Sequence, residues 1–127
     1  SLWNSEQLIT TNFNNLSPDV VDALNSASPS YFVGGNTTPV RLIHAMNDIL
    51  APPAASSCFY NAATSASRDS SMLWFGIGGH LFDSGTRVHA DAQMVNWFDK
   101  HLKGVESELA CTACVTPAPA QIACPWN

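Results

Sequence analysis

The sequence predicts an α/β fold, and three observations lead to it. Two short apolar runs, residues 39–45 (PVRLIHA) and 72–78 (MLWFGIG), read as strands buried on both faces, the second closed by glycines. Between them Pro52-Pro53 opens a small Ala-rich helix that carries Cys58 and Phe59 and ends by Arg68. After them Met94, Trp97, Phe98 and Leu102 fall at i, i+3, i+4 and i+8, with Lys100 and Lys103 at the negative end of the dipole and Gly104 as the stop. Strand-helix-strand-helix in this order implies parallel pairing through a right-handed crossover.

A parallel pair covered on both faces is not stable as a free edge. The unit therefore reads as the C-terminal portion of a sheet begun elsewhere. Composition divides the chain into three parts. Residues 1–38 are polar and interrupted, a helical connection or the remnant of a lid. A short helix is expected over Glu6 to Phe13, where Leu8, Ile9 and Phe13 are helically spaced. A second begins at Ser17, a capping residue, with Pro18 at the first helical position and Asp19 facing the positive end of the dipole. Residues 39–104 hold the strands and the two later helices. Residues 105–127 form a Cys- and Pro-rich tail pinned by cross-links and not by a core of its own.

The totals exclude several classes of function. The 127 residues are 46% hydrophobic and only 12% charged, with a net charge of −5. Arg41, Arg68, Arg87, Lys100 and Lys103 are scattered, so no basic face exists for a phosphate backbone, and nucleic acid is not an expected partner. No apolar run reaches the roughly 18–20 residues of a bilayer span, and the first residues lack the basic-then-apolar pattern of a signal peptide. The four cysteines, Cys58, Cys111, Cys114 and Cys124, together with the low charge, favour an oxidising compartment, so a secreted or periplasmic location is expected. Asn36-Thr37-Thr38 is a glycosylation sequon in a eukaryotic secretory route.

Chemistry is concentrated just after the two strands. Asp48 lies in His44-Ala45-Met46-Asn47-Asp48-Ile49-Leu50-Ala51-Pro52, and His80 follows Gly78-Gly79. Open α/β sheets place their sites at the C-terminal strand edge, so adjacent parallel strands bring Asp48 and His80 together across 32 positions. A carboxylate that accepts from an imidazole fixes its tautomer and stabilises the imidazolium formed when a nucleophile surrenders its proton. The chain order acid then base suits a Ser, Asp, His sequence of triad members.

Three segments carry a family resemblance. SPSYFVGGNTTPVRLIHAMNDILAPP resembles the α/β-hydrolase segment in which a Ser-Pro loop leads to a strand and loop of the form PvLlIHGxxDxxVP, with Ala45 in place of the usual Gly and Ala51 in place of the usual Val. GGHLF resembles the loop that presents that family's histidine. NWFDKHLKG resembles the closing helix of X-Pro dipeptidyl-peptidase and acyl-esterase relatives, secreted esterases and prolyl-oligopeptidase-like enzymes. The resemblance covers residues 27–104 and implies the C-terminal part of a serine hydrolase, with Asp48 as the triad acid and His80 as the base. No G-x-S-x-G occurs in the chain, so the nucleophile elbow and its oxyanion donors are expected outside it, in an N-terminal part of the hydrolase domain that acts as partner. The expected substrates are carboxylic esters, with prolyl-type or acyl-aminoacyl peptides as the close rival, and no metal or organic cofactor is required. A disulfide-braced, non-catalytic binding module is the reading from another class.

Other residues have plainer uses. His44 reads as a packed, hydrogen-bonded histidine at a strand end, and His89 and His101 as surface or interface groups. Trp74, Phe75, Trp97 and Phe98 read as core. Leu81, Phe82 and Trp3 are candidates for an acyl pocket, and Asp83 and Asp91 are alternatives to Asp48 for orienting His80. Cys111, Cys114, Cys124 and His101 are spaced unlike a zinc site, and the Cys111-x-x-Cys114 pair lacks a redox helix after it, which leaves structural disulfides. Two tail cysteines pair with each other and the third with Cys58, and the three possible pairings stay open.

Overall fold

The computed structural model describes residues 17–124. The expected helix at Glu6 to Phe13 and the pocket candidate Trp3 lie outside those residues. The chain divides into a unit ending at Phe32 and a unit from Val33 onward. In the first, helix α1 (Pro18–Ala27) starts where Pro18 and Asp19 predict. Ser17 caps it with its carbonyl, which accepts from the Val20 and Val21 amides, and not with its hydroxyl. A 3-10 stretch, Pro29–Gly35, follows.

The second unit is built on two parallel strands, β1 (Val40–Ala45) and β2 (Ser70–Phe75), in register from Val40 opposite Ser70 to Ala45 opposite Phe75. Helix α2 (Pro53–Ser65) connects them, and α3 (Ser84–Lys103) follows β2. Strand alternation sends neighbouring side chains of β1 to opposite faces. On one face Arg41 donates to the Gln93 carbonyl of α3, and Ile43 and Ala45 pack with Phe75 and Ala90. On the other, His44 meets Ser56 of α2. The core is therefore small and sheet-centred, with Phe75 wholly buried at its middle.

Two expectations are corrected. The second strand begins at Ser70 and ends at Phe75, not at 72–78. Ser70 and Ser71 are drawn into pairing by Val40 and Arg41, and pairing stops where Gly76 and Gly78 offer no side chain to pack and Gly78 turns to φ +137°. The buried face of α3 is also not the Met94, Trp97, Phe98, Leu102 stripe. Only Trp97 of that set is buried, whereas Phe98 is 52% exposed, so it is not a core residue. The face turned inward carries Thr86, Ala90, Gln93 and Trp97. Size periodicity misses it because two members are polar and one is small. Gln93 is buried at no net polar cost, because its side chain donates to the Leu109 carbonyl and accepts from Arg41.

The tail is fastened in three ways. Asn96 bonds both the Ser107 carbonyl and the Leu109 amide. The Val115 amide donates to the Trp74 carbonyl, and Cys114 bridges Phe75 in antiparallel sense, so the tail covers the outer edge of β2. Disulfides Cys58–Cys124 and Cys111–Cys114 settle the pairing. The opposite edge, that of β1, has no strand beside it among the described residues.

Candidate active site

The site forms where β1 and β2 end. The β1 chain turns immediately, with the Asp48 amide donating to the Ala45 carbonyl, and Asp48 then folds its own side chain back over the turn. Its Oδ1 accepts from the amides of Leu50 and Ala51, both at 2.9 Å, the Asx geometry that short carboxylates favour. Beyond β2 the glycine pair makes the opposing loop. A Cβ at Gly78 would lie 2.9 Å from the Thr86 hydroxyl oxygen and 3.1 Å from the Phe82 ring, in a backbone conformation that side-chain-bearing residues rarely adopt. Phe82 itself sits at φ +52°, held there by packing edge-on against Phe75 with ring centres 5.6 Å apart.

The two loops are joined twice. The Gly79 amide donates to Asn47 Oδ1 at 2.8 Å, and His80 Nδ1 lies 3.0 Å from Asp48 Oδ2. The Asp48 side chain is 6% exposed, whereas that of His80 is 42% exposed. Both residues that the sequence singled out are thus brought together at the strand edge. Burial works against the charged form of Asp48, but the Ala51 amide, His80 and the Leu50 amide more than offset it, so the carboxyl titrates below its ordinary value. An ionised Asp48 accepts, so the Nδ1 of a neutral His80 carries the proton and Nε2 keeps its lone pair. Nε2 has no hydrogen-bond partner among the described residues.

The lesser candidates take other places. Asp83 does not orient His80. It caps α3, accepting from the Gly85 and Thr86 amides and the Thr86 hydroxyl, interactions that also hold it below the ordinary carboxylate value. Asp91 pairs with Arg87 at 3.8 Å on the exposed side of α3. Phe82 is partly buried and packs against the Phe75 cluster, whereas Leu81, next to His80 in the sequence, is 80% exposed. His89 is exposed, as its position suggested. His101 is more enclosed than expected, with its ring centre 4.2 Å from that of Trp97 at a tilt of 56° and its Nε2 3.6 Å from Asp69. Two contributors were missed. Asn47 is only a neighbour of Asp48 in the sequence, and Ser56 is one of several small residues in an Ala-rich helix. The sequence offers no signal for either, since each acquires its role from a partner 32 or 12 positions away.

The sequence profile of the prolyl oligopeptidase family matches residues 1–105. The chain belongs to that family. Membership gives the two-strand unit its context, the α/β-hydrolase fold, and makes the chain part of a serine hydrolase. No curated protein and no solved structure matches it. In the α/β-hydrolase context a histidine and an acid at the C-terminal strand edge are where open sheets place chemistry.

Proposed function

We propose that this member of the prolyl oligopeptidase family supplies the acid and base of a Ser-His-Asp triad, Asp48 and His80, for an exported serine hydrolase whose nucleophile comes from residues other than these. One observation carries the reading: the 3.0 Å contact between a nearly buried carboxylate and the Nδ1 of a half-exposed imidazole. In the reaction His80 Nε2 takes the proton of the serine hydroxyl as it attacks the acyl carbonyl, and then returns it to the leaving group. Asp48 holds the ring in that tautomer and stabilises the imidazolium. The nucleophile-bearing part adds strands at the open edge of β1. The exposed Ile49, Leu50, Ile77 and Leu81 around the site support such a covering. Two disulfides, with low charge, support an oxidising, extracytoplasmic location.

The substrate is a carboxylic acyl compound. The sequence alone put esters first; membership of the prolyl oligopeptidase family supports peptides with an amide at the scissile bond. Paired p-nitrophenyl ester and p-nitroanilide substrates separate the two by their kcat/KM values.

The mechanism is tested by fluorophosphonate labelling of the protein that joins this chain to its nucleophile-bearing region. One serine is labelled there, none in the isolated chain. His80→Ala abolishes labelling, and Asp48→Asn lowers turnover by about 10⁴ as in other triads. Labelling that survives in the His80→Ala variant removes His80 from the mechanism. Absence of any labelled serine in the joined protein favours the non-catalytic module.

A further inference from the structure

We propose that His44 is a positioning residue for Asp48, and that the Ser56 hydroxyl fixes the tautomer in which it works; this rests on Asp48 being the acid that orients His80. Strand alternation turns His44 away from the Phe75 core and toward α2, where its side chain is 11% exposed. Both ring nitrogens are engaged. Nδ1 lies 2.6 Å from Ser56 Oγ, in the first turn of α2. Nε2 lies 3.1 Å from the Ala51 carbonyl oxygen and 3.4 Å from Asp48 Oδ2.

The hydrogen-bond network assigns the protons. A carbonyl and an ionised carboxylate only accept, so Nε2 carries the hydrogen. In the neutral ring Nδ1 is then an acceptor, and the Ser56 hydroxyl is its donor. The Nε2–H is directed to the Ala51 carbonyl that closes the turn Asp48 makes, with the carboxylate that begins the turn 3.4 Å away. On the carboxylate, Oδ1 is held by two backbone amides. That leaves Oδ2 facing two imidazoles, His80 on the open side and His44 on the buried side. A carboxylate held at Oδ1 by the turn's amides and flanked at Oδ2 by His44, which also fastens the Ala51 end of the turn, is hindered from rotating to offer His80 a different lone pair. The consequence is a chain of contacts from α2 through Ser56, His44 and Asp48 to His80, which references the exposed base to a helix of the scaffold.

A histidine that only filled space would behave differently. Its ring lies 6.0 Å from the Trp74 ring, and phenylalanine would preserve that packing. A positioning histidine needs its Nε2–H, which glutamine restores in reach and polarity and phenylalanine does not. The readout is the tautomer of His80 in the full chain, taken from ¹⁵N resonances of its ring nitrogens at a pH where the ring is neutral, with thermal unfolding recorded on each variant. In the unsubstituted chain the Nδ1–H form dominates. Asp48→Ala abolishes that preference. His44→Phe lowers the ratio of Nδ1–H to Nε2–H forms at least threefold, and His44→Gln returns it to within twofold. Ser56→Ala leaves His44 a mixture of tautomers and lowers the His80 ratio by a smaller factor.

An unchanged His80 ratio in Asp48→Ala overturns the reading of Asp48 beneath the proposal. A normal response to Asp48→Ala, with an unchanged ratio in His44→Phe, overturns the positioning role alone. If His44→Phe does not fold, Ser56→Ala decides: unaltered tautomers at both His44 and His80 then refute the proposal.

Discussion

The Cys58–Cys124 disulfide should contribute far more to stability than Cys111–Cys114, and the difference follows from loop length. The first closes a separation of 66 residues and the second one of 3. In the chain-entropy description, a cross-link removes about 2.1 + 1.5R ln n cal/mol/K from the unfolded chain. At 25 °C that is roughly 4.4 kcal/mol for the long loop and roughly 1.6 kcal/mol for the short one. For a chain of this size each kcal/mol moves the midpoint by roughly 4 °C, so Cys58→Ala with Cys124→Ala should lower Tm by roughly 18 °C, and Cys111→Ala with Cys114→Ala by roughly 6 °C. Calorimetry on the two double variants, with urea unfolding alongside, makes the comparison; removal of the long cross-link should also steepen the urea dependence as the unfolded chain expands. The folded state works in the opposite direction. Cys111 and Cys114 pack against the Ala45, Phe75 and Ala90 cluster, so their replacement also disturbs the core. Equal losses, or a larger loss for the short loop, would mean that the tail is held by its packing on β2 and α3, and that unfolded-chain entropy is not the main effect.

The acid limb of stability should be steepened by two carboxylates. Asp48 and Asp83 both titrate below their ordinary value of 3.8. Their contribution is therefore full above that value and is lost as pH falls through the lower folded-state values. Combined Asp48→Asn and Asp83→Asn should flatten the decline of Tm below pH 4; an unchanged decline would show that neither carboxylate is held as the structure describes. Two phenylalanines should separate cleanly in urea unfolding. Phe75 is 0% exposed, and Phe75→Ala should cost about 3–5 kcal/mol. Phe98 is 52% exposed, and Phe98→Ala should change stability by no more than about 0.5 kcal/mol. Comparable losses would restore the predicted stripe as the packed face of α3.

Much of the architecture was legible because it is local. Pro18, Pro53 and Gly104 mark helix ends through their own backbone restrictions, and all three stand where the helices begin or stop. The apolar run 39–45 is short and opened by a proline, which suits a strand, and the position of Asp48 and His80 after two strands was enough to predict that they meet. The face of α3 was not legible, because Gln93 is satisfied inside by Arg41, a partner supplied by β1, and Thr86 by Asp83, the residue that caps the helix. Nor was the start of β2 at Ser70, which is fixed by register against Val40 and not by any property of serine.

The sequence by itself determined an α/β unit with an acid and a base at one strand edge, since alternation, chain breakers and residue order act over a few positions. Tertiary structure alone decided which cysteines pair, which helix face is buried, and that the Asp48 carboxylate lies between His44 and His80. Those outcomes depend on the closing of long loops and on hydrogen-bond partners that become neighbours only when the sheet has formed.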